Sequence, residues 1–175
     1  MQLGSALSIG LIDQVGAAGT AWLRLVMGAL IFLAISRPPI KKIRKQDVPV
    51  LIGLGVTTGI MTMAFLAAIE NIPLGTSVAI EFLGPLTVAS FTSKKARLLI
   101  WPALALIGVV LLTEPWNGEI NLLGIGFALL SGVAWGTYIV LTQRVGDRFD
   151  GISGLSITIP IAAIVSAFIG VPQAW

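Results

Sequence analysis

The chain is far more apolar and far less charged than a typical soluble domain. Its 175 residues are 56% hydrophobic and 11% charged, with a mean hydropathy of +0.97, whereas soluble domains contain about one quarter charged residues. Cysteine and histidine are absent from the sequence. This excludes a disulfide framework, a thiolate metal site and an imidazole base or ligand, and we expect no metal and no cofactor.

Six apolar blocks, each about as long as a bilayer is thick, follow one another along the chain. A membrane-spanning helix needs roughly 17–25 residues, and the connections between the blocks are too short for a soluble domain. Residues 1–12 are apolar but too short to span, and we interpret them as the end of a truncated first helix, in a fragment or a shortened reading frame. The predicted spans are Ala17–Ser36, Val48–Ile69, Pro73–Phe91, Leu98–Trp116, Leu122–Thr142 and Ile152–Val171.

These blocks predict an all-α, polytopic membrane helix bundle with six complete transmembrane helices plus the truncated one. The alternative is a set of core helices buried in a large soluble protein. That alternative is disfavoured because no block has a charged face to present to water.

The basic residues predict the orientation of the bundle. Ten of the eleven lysines and arginines lie in the connections 37–47, 92–97 and 143–151, which all fall on one side of the membrane. The opposite connections contain only acidic charges. By the positive-inside rule the three basic connections are cytoplasmic. Topology and contact with lipid therefore explain the basic residues, and we expect no nucleic-acid partner.

Two charges, Arg24 and Glu81, remain inside the predicted membrane spans. Each lies eight residues from the predicted outer end of its helix, at Gly16 and Pro73 respectively, so both are expected at a depth of roughly 12 Å. Equal depth and opposite sign predict that they pair. The pair is either a static ion pair that locks two helices or the lining of a polar path. We favour the path, because charges inside a membrane usually mark routes for substrates or protons.

Small and helix-breaking residues surround Glu81 on its own helix. Ser77, Gly84 and Pro85 lie on the same helical face as Glu81. Because Pro85 has no N–H to donate to the carbonyl of Glu81, Gly84 and Pro85 predict a kink with a free carbonyl. Transporters use such interruptions to present backbone dipoles to cargo. The alternative is a bend that serves packing alone.

Two further patterns lie on other helices. Polar and aromatic residues form one helical stripe, with a weaker stripe three spans earlier, and each fits a pocket wall or ordinary packing. The segments GVTTG (55–59) and GVAWG (132–136) are GxxxG motifs, which predict close helix–helix contact. The first stripe is Ser131, Trp135, Tyr138 and Thr142, and the second is Thr58, Thr62 and Phe65.

Three segments carry a family resemblance over nearly the whole chain. GTAWLRL (19–25), IPLGTSVAIEFLGPLTVASF (72–91) and FALLSGVAWGTYIVLTQRVG (127–146) resemble the EamA-like family of drug/metabolite transporters, and in particular its threonine and homoserine exporters. The third helix departs from those exporters, which often have Asn and Tyr at the positions of Thr62 and Leu66.

The resemblance implies a fold of ten helices in two inverted five-helix repeats. Residues 1–116 would be the first repeat with its first helix truncated, and residues 117–175 the incomplete start of the second. A weak likeness between residues 10–35 and 139–169, which have opposite predicted topology, agrees with an inverted repeat.

The resemblance also implies a function, that of a proton-coupled secondary transporter of the bacterial inner membrane. It would export threonine, homoserine or related metabolites by alternating access. Glu81 would accept a proton or bind an amine, Arg24 would bind a carboxylate, and Trp135 and Tyr138 would wall the pocket. Thr62 and Ser77 complete the candidate site.

Three alternatives remain beside the exporter of small amino acids. They are a non-transporting or degenerate membrane subunit, an exporter of another drug or metabolite cargo, and a membrane-embedded enzyme. The enzyme is disfavoured because the predicted spans contain no acid pair for a metal and no His or Cys nucleophile. A homodimer is left open.

Overall fold

The computed structural model describes residues 2–35, 43–92, 97, 100–113, 121–145 and 151–174, and these residues form a helical bundle. Its elements, in chain order, are α1 (Gln2–Ile35), α2 (Val48–Asn71), α3 (Leu74–Glu81), α4 (Leu83–Thr92), α5 (Ile100–Thr113), α6 (Leu122–Val145) and α7 (Gly151–Ala174).

Five segments of the described chain are long and apolar enough to cross a membrane. They coincide with five of the six predicted spans, which confirms the prediction of an all-helical, multi-pass membrane protein. Their bounds are Gly10–Ile35, Val48–Asn71, Leu74–Thr92, Leu122–Arg144 and Gly154–Ala174.

The predicted span Leu98–Trp116 is the one that has no counterpart among these five segments. The described helix there is α5, which has 14 residues and is therefore about 21 Å long, less than the roughly 30 Å of a hydrocarbon core. Residues 98, 99 and 114–116 of that predicted span lie outside the part of the chain that the structure describes.

A backbone break at Gly16 divides α1 into two helical segments. Gly16 has φ 70° and ψ 170°, a conformation that is essentially restricted to glycine. A break leaves backbone N–H groups without helical partners. The side-chain oxygen Oε1 of Gln173 on α7 accepts hydrogen bonds from the N–H groups of Ala18 at 2.8 Å and Gly19 at 3.3 Å. The second segment of α1 thus begins where the sequence predicted a span to begin, at Ala17.

We expect Gly16→Ala to lower the free energy of unfolding by about 1–3 kcal/mol, because alanine is strained at this φ. A Cβ at Gly16 would also overlap the side chain of Gln173. Gly10→Ala on the same helix is the control, because a Cβ there meets nothing within 4 Å. The measurement is thermal unfolding in detergent, and equal melting temperatures for the two variants would contradict the assignment of the break.

Small residues hold the helices at short distances. A Cβ on Gly19 would lie 3.2 Å from Cβ of Ala174, and one on Gly28 would lie 3.5 Å from Cγ2 of Ile159, so α1 and α7 pack antiparallel. On α2, a Cβ at Gly55 would lie 3.0 Å from the carbonyl oxygen of Thr158 on α7. The close contact predicted for the GVTTG segment is therefore confirmed, and α2 lies between α7 and α6.

Candidate functional site

Glu81 is a buried carboxylate at the end of α3, within a membrane-spanning segment. Its side chain is 8% exposed, and its Oε1 accepts a hydrogen bond from Oγ of Ser131 on α6 at 2.5 Å. A charge at the centre of a membrane helix costs about 2.5–3.5 kcal/mol on insertion scales. The burial of Glu81 therefore requires a compensating gain, and its position in the bundle makes it the centre of the candidate site.

The helix has a one-residue irregularity directly after Glu81, at Phe82, whose backbone angles stay near the helical values (φ −62°, ψ −18°). Phe82 separates α3 from α4, although its N–H still donates to the carbonyl of Val78 at 3.0 Å and its carbonyl accepts from the N–H of Leu86 at 3.2 Å. Pro85 occupies the position whose N–H would have bonded to the carbonyl of Glu81. The interruption thus presents both the carboxylate and the carbonyl of Glu81 at one level of the bundle.

Glycines bring α6 into backbone contact with this interruption. A Cβ on Gly84 would overlap the carbonyl oxygen of Gly132, and one on Gly132 would lie 3.0 Å from the carbonyl oxygen of Glu81. One turn further on, a Cβ on Gly136 would lie 3.0 Å from Cγ2 of Val88. The close contact predicted for GVAWG is therefore confirmed, and it places α6 directly against the helix break.

Ser131 belongs to the site, although the sequence analysis assigned no separate role to it. It is completely buried, and its Oγ lies 2.5 Å from Oε1 of Glu81 and 3.1 Å from the carbonyl oxygen of Met61 on α2. Its place at the head of the predicted α6 stripe was the signal available in the sequence. That stripe could not show that Glu81 and Met61 are the groups it faces.

The aromatic residues of the stripe lie at successive levels of α6. Trp135 is half-buried and meets the ring of Phe82 edge to face, with centroids 5.0 Å apart. Tyr138 packs against the cluster formed by Leu51 and Leu54 of α2. The structure thus brings Trp135 to the helix break beside Glu81, whereas Tyr138 contacts a separate cluster.

The hydroxyls of Thr62 and Ser77 are bonded within their own helices. Thr62 Oγ1 donates to the carbonyl of Thr58 at 2.8 Å, and Ser77 Oγ donates to the carbonyl of Pro73 at 3.2 Å. Ser77 is completely buried and Thr62 half-buried. Both side chains therefore present oxygen lone pairs rather than hydroxyl protons to their surroundings.

The predicted pairing of Arg24 with Glu81 stays a prediction. The hydrogen-bond partner of the Glu81 carboxylate there is Ser131. Arg24 is on α1, which packs mainly against α7 and α2, whereas α3 packs mainly against α6 and α5. Equal depth along the membrane normal determines one coordinate only, and it does not determine how the two helices are placed around the bundle.

An open apolar groove of about 460 Å³ follows the contact of α3 and α4 with α6. Leu83, Val88, Leu129 and Val133 are among its lining residues, and Glu81 is not. Leu129 and Val133 are exposed on the outside of the bundle. The groove is therefore a feature of the apolar surface and is separate from the buried carboxylate.

The fold and the site define a multi-pass helical membrane protein with an ionisable group inside its bundle. Over 176 residues the chain is 36% identical to the threonine/homoserine exporter RhtA of Salmonella typhimurium (strain LT2), a match that covers 99% of this chain and 59% of the exporter. The exporter of the same name from Escherichia coli (strain K12) is 36% identical over 174 residues, which are 98% of this chain and 57% of the exporter.

A more distant relative is the uncharacterized inner membrane transporter YedA of Escherichia coli (strain K12). It is 25% identical over 148 residues, which cover 82% of this chain and 44% of the transporter. No family model matches the chain, and no solved structure matches it.

The chain is a homologue of these exporters and transporters, and the resemblance to threonine and homoserine exporters that its residues indicated is confirmed. It is accordingly a multi-pass protein of the bacterial inner membrane. It spans a little under three fifths of the length of the exporters it matches.

Proposed function

We propose that the protein is a secondary transporter that exports threonine, homoserine or related small amino acids, with protons as the coupling ion. The observation that carries the proposal is a carboxylate, Glu81, buried inside a membrane span at a helix interruption. Intramembrane acids mark substrate and proton routes, and interrupted helices form the binding sites of many secondary transporters. The names of the 36% identical relatives supply the cargo class.

Glu81 is the proposed exchange point between proton and cargo. A carboxylate binds either a proton or the ammonium group of an amino acid, so occupation by one releases the other. The carbonyl of Glu81, which Pro85 leaves without a helical donor, adds a second acceptor for the ammonium group. Trp135 and Phe82 form a wall at this level, and Thr62, Ser77 and Tyr138 are the proposed polar contacts.

Arg24 is the proposed binding site for the carboxylate of the cargo. An arginine presents a planar fork of donors that matches a carboxylate. A single bound amino acid that bridges Arg24 and Glu81 would join α1, which packs mainly against α7 and α2, to α3, which packs mainly against α6 and α5, and we propose that the helices rearrange around it. Such a rearrangement is what alternating access requires.

We propose that residues 1–116 and 117–175 belong to two inverted repeats of a ten-helix fold. The packing of α1 against α7 supports this, because α1 contains the segment 10–35 and α7 contains residues 151–169 of the segment 139–169 that resembles it. Helices related by an inverted repeat lie on either side of a pseudo-two-fold axis in the membrane plane. Antiparallel contact between α1 and α7 is the arrangement that such an axis produces.

The test of the function is efflux from proteoliposomes that contain the protein as its gene encodes it. We expect saturable efflux of labelled threonine, driven by an imposed proton gradient and inhibited by homoserine. If a different metabolite leaves the liposomes and threonine does not, the proposed cargo is wrong and that metabolite takes its place. Absence of any efflux above empty liposomes would favour the non-transporting subunit.

The transporter relatives also favour a role other than catalysis. Chemical cross-linking of the same vesicles tests for a homodimer.

The proposed topology places Lys45 in the cytoplasm and Glu70 outside. Both are exposed and lie at opposite ends of α2, which is about 36 Å long. The sequence contains no cysteine, so single-cysteine variants can be labelled without removing others. We expect an impermeant thiol reagent to label Glu70→Cys in intact cells and Lys45→Cys only after lysis. The reverse labelling pattern would show that the bundle has the opposite orientation in the membrane.

A further inference from the structure

The hydroxyl of Ser131 lies within hydrogen-bond distance of two acceptors on two different helices. Its Oγ is 2.5 Å from Oε1 of Glu81 on α3 and 3.1 Å from the carbonyl oxygen of Met61 on α2. A serine hydroxyl has one proton, so it donates to one of these acceptors at a time. The site therefore has two hydrogen-bonding states that need no movement of the backbone.

Ser131 differs in this respect from the neighbouring hydroxyls. Those of Thr62 and Ser77 donate to carbonyls four residues earlier in their own helices, so their bonds do not join helices. The two acceptors of Ser131 belong to α3 and α2, whereas Ser131 itself is on α6. A change in the direction of its proton therefore changes which helix accepts a hydrogen bond from α6.

The protonation state of Glu81 decides which acceptor is preferred. An ionised carboxylate forms a charge-assisted bond that is stronger than a bond to a neutral carbonyl. A protonated carboxyl is itself a hydrogen-bond donor. Oγ of Ser131 can then accept a hydrogen bond from Glu81, while its own O–H donates a hydrogen bond to the carbonyl of Met61. That carbonyl has two lone pairs, so it can accept this bond while it keeps its helical one.

We propose that Ser131 is a two-position hydrogen-bond switch, whose hydroxyl donates to Glu81 on α3 when Glu81 is ionised and to the Met61 carbonyl on α2 when Glu81 is protonated and itself donates to Ser131. The proposal rests on the proposed function in one respect, that Glu81 gains and loses a proton during transport. Ser131 acts through Glu81 and is a positioning residue. Through it, a proton on one side chain redistributes the bonds among three helices.

The described surroundings of Glu81 offer no competing titration at this point. Helices α2, α4, α5 and α6 pack around α3, and Leu74 and Val78 of α3 also pack against a cluster that contains α1 residues. The ionisable side chains of these five neighbouring helices are Asp13, Arg24, Glu70, Tyr138 and Arg144, of which Asp13 is exposed and Arg24 is half-buried. Glu70 and Arg144 are exposed at helix ends, and Tyr138 packs in a separate cluster with α2 residues. A pH-dependent change at the Met61 carbonyl is therefore attributable to Glu81.

The sequence allows the Met61 carbonyl to be observed selectively. Among its four methionines, only Met61 precedes a threonine, so ¹³C-carbonyl methionine with ¹⁵N-threonine isolates the peptide bond between Met61 and Thr62 by NMR. We expect its carbonyl resonance to move as the pH is lowered, because the carbonyl gains a hydrogen bond. The movement should be absent from S131A and from E81Q, and present in S166A, whose hydroxyl donates to Ala163 within its own helix.

A resonance that is independent of pH in the unmodified protein would overturn the switch, as would one that still moves in S131A. Should S131A fail to fold, E81Q decides alone, because it retains Ser131 and removes the titrating group. Efflux separates this proposal from the function: we expect S131A to slow threonine efflux about tenfold, and S166A to leave it unchanged. Efflux without movement at Met61 refutes the switch, and movement without efflux refutes the exporter.

Discussion

Glu81→Gln should reduce proton-driven threonine efflux to the level of empty liposomes while leaving the protein folded. Glutamine keeps the shape of the side chain and an oxygen that can accept the bond from Ser131, so the contact with α6 persists. It can neither bind a proton nor pair with an ammonium group. The measurement combines efflux with the melting temperature in detergent, and unchanged efflux in a folded Glu81→Gln protein would remove this residue from the mechanism.

Glu70→Gln is the matched control, because Glu70 is exposed at the end of α2 and the same chemical change there should leave efflux unaltered.

Arg24→Gln should weaken the binding of cargo that contains a carboxylate. The double variant Glu81→Gln with Arg24→Gln distinguishes a path from a static ion pair. Removal of one partner of a buried pair costs about 3–5 kcal/mol, and removal of both relieves that cost. We expect the double variant to fold and to remain inactive.

Gly84→Ala should cause the largest loss of stability among the substitutions considered. The new Cβ would overlap the carbonyl oxygen of Gly132, and both groups are backbone, so no flexible side chain can move aside. Overpacking of this kind costs about 1–3 kcal/mol and sometimes more. The contact between α4 and α6 would have to widen, which would also separate Ser131 from Glu81. Thermal unfolding and efflux should both be impaired.

Gly126→Ala on α6 and Gly75→Ala on α3 are the controls, because a Cβ at either position meets nothing within 4 Å. Alanine is favoured over glycine in a helix by about 0.8–1.0 kcal/mol, so these variants should be as stable as the parent or more so. A Gly84→Ala protein with the parent's melting temperature would show that the backbone contact at Gly132 is wrong.

The spans and their close contacts could be predicted because they depend on local pattern. Bilayer thickness translates directly into the length of an apolar block, which gave Val48–Ile69 against the observed Val48–Asn71. Glycines spaced four apart indicated tight crossings, and both Gly55 and Gly132 lie at such crossings. The predicted span Leu98–Trp116 cannot be compared with the structure in the same way, because the described helix there covers only 14 residues.

The partner of Glu81 could not be predicted, because it depends on how helices are arranged around the bundle. Sequence gives the depth of a residue in the membrane and the face of its own helix, and both were compatible with Arg24. Which helix adjoins α3 is decided by the contact of Gly84 with Gly132. That contact brings α6, and with it Ser131, to the carboxylate.

The most direct test of the account is proton release when threonine binds to the protein in a weakly buffered detergent solution. If proton and cargo compete for the Glu81 carboxylate, binding to the protonated protein should release roughly one proton for each threonine bound. Glu81→Gln should release none. Threonine binding without proton release in the unmodified protein, or equal release in Glu81→Gln, would contradict the assignment of Glu81 as the exchange point.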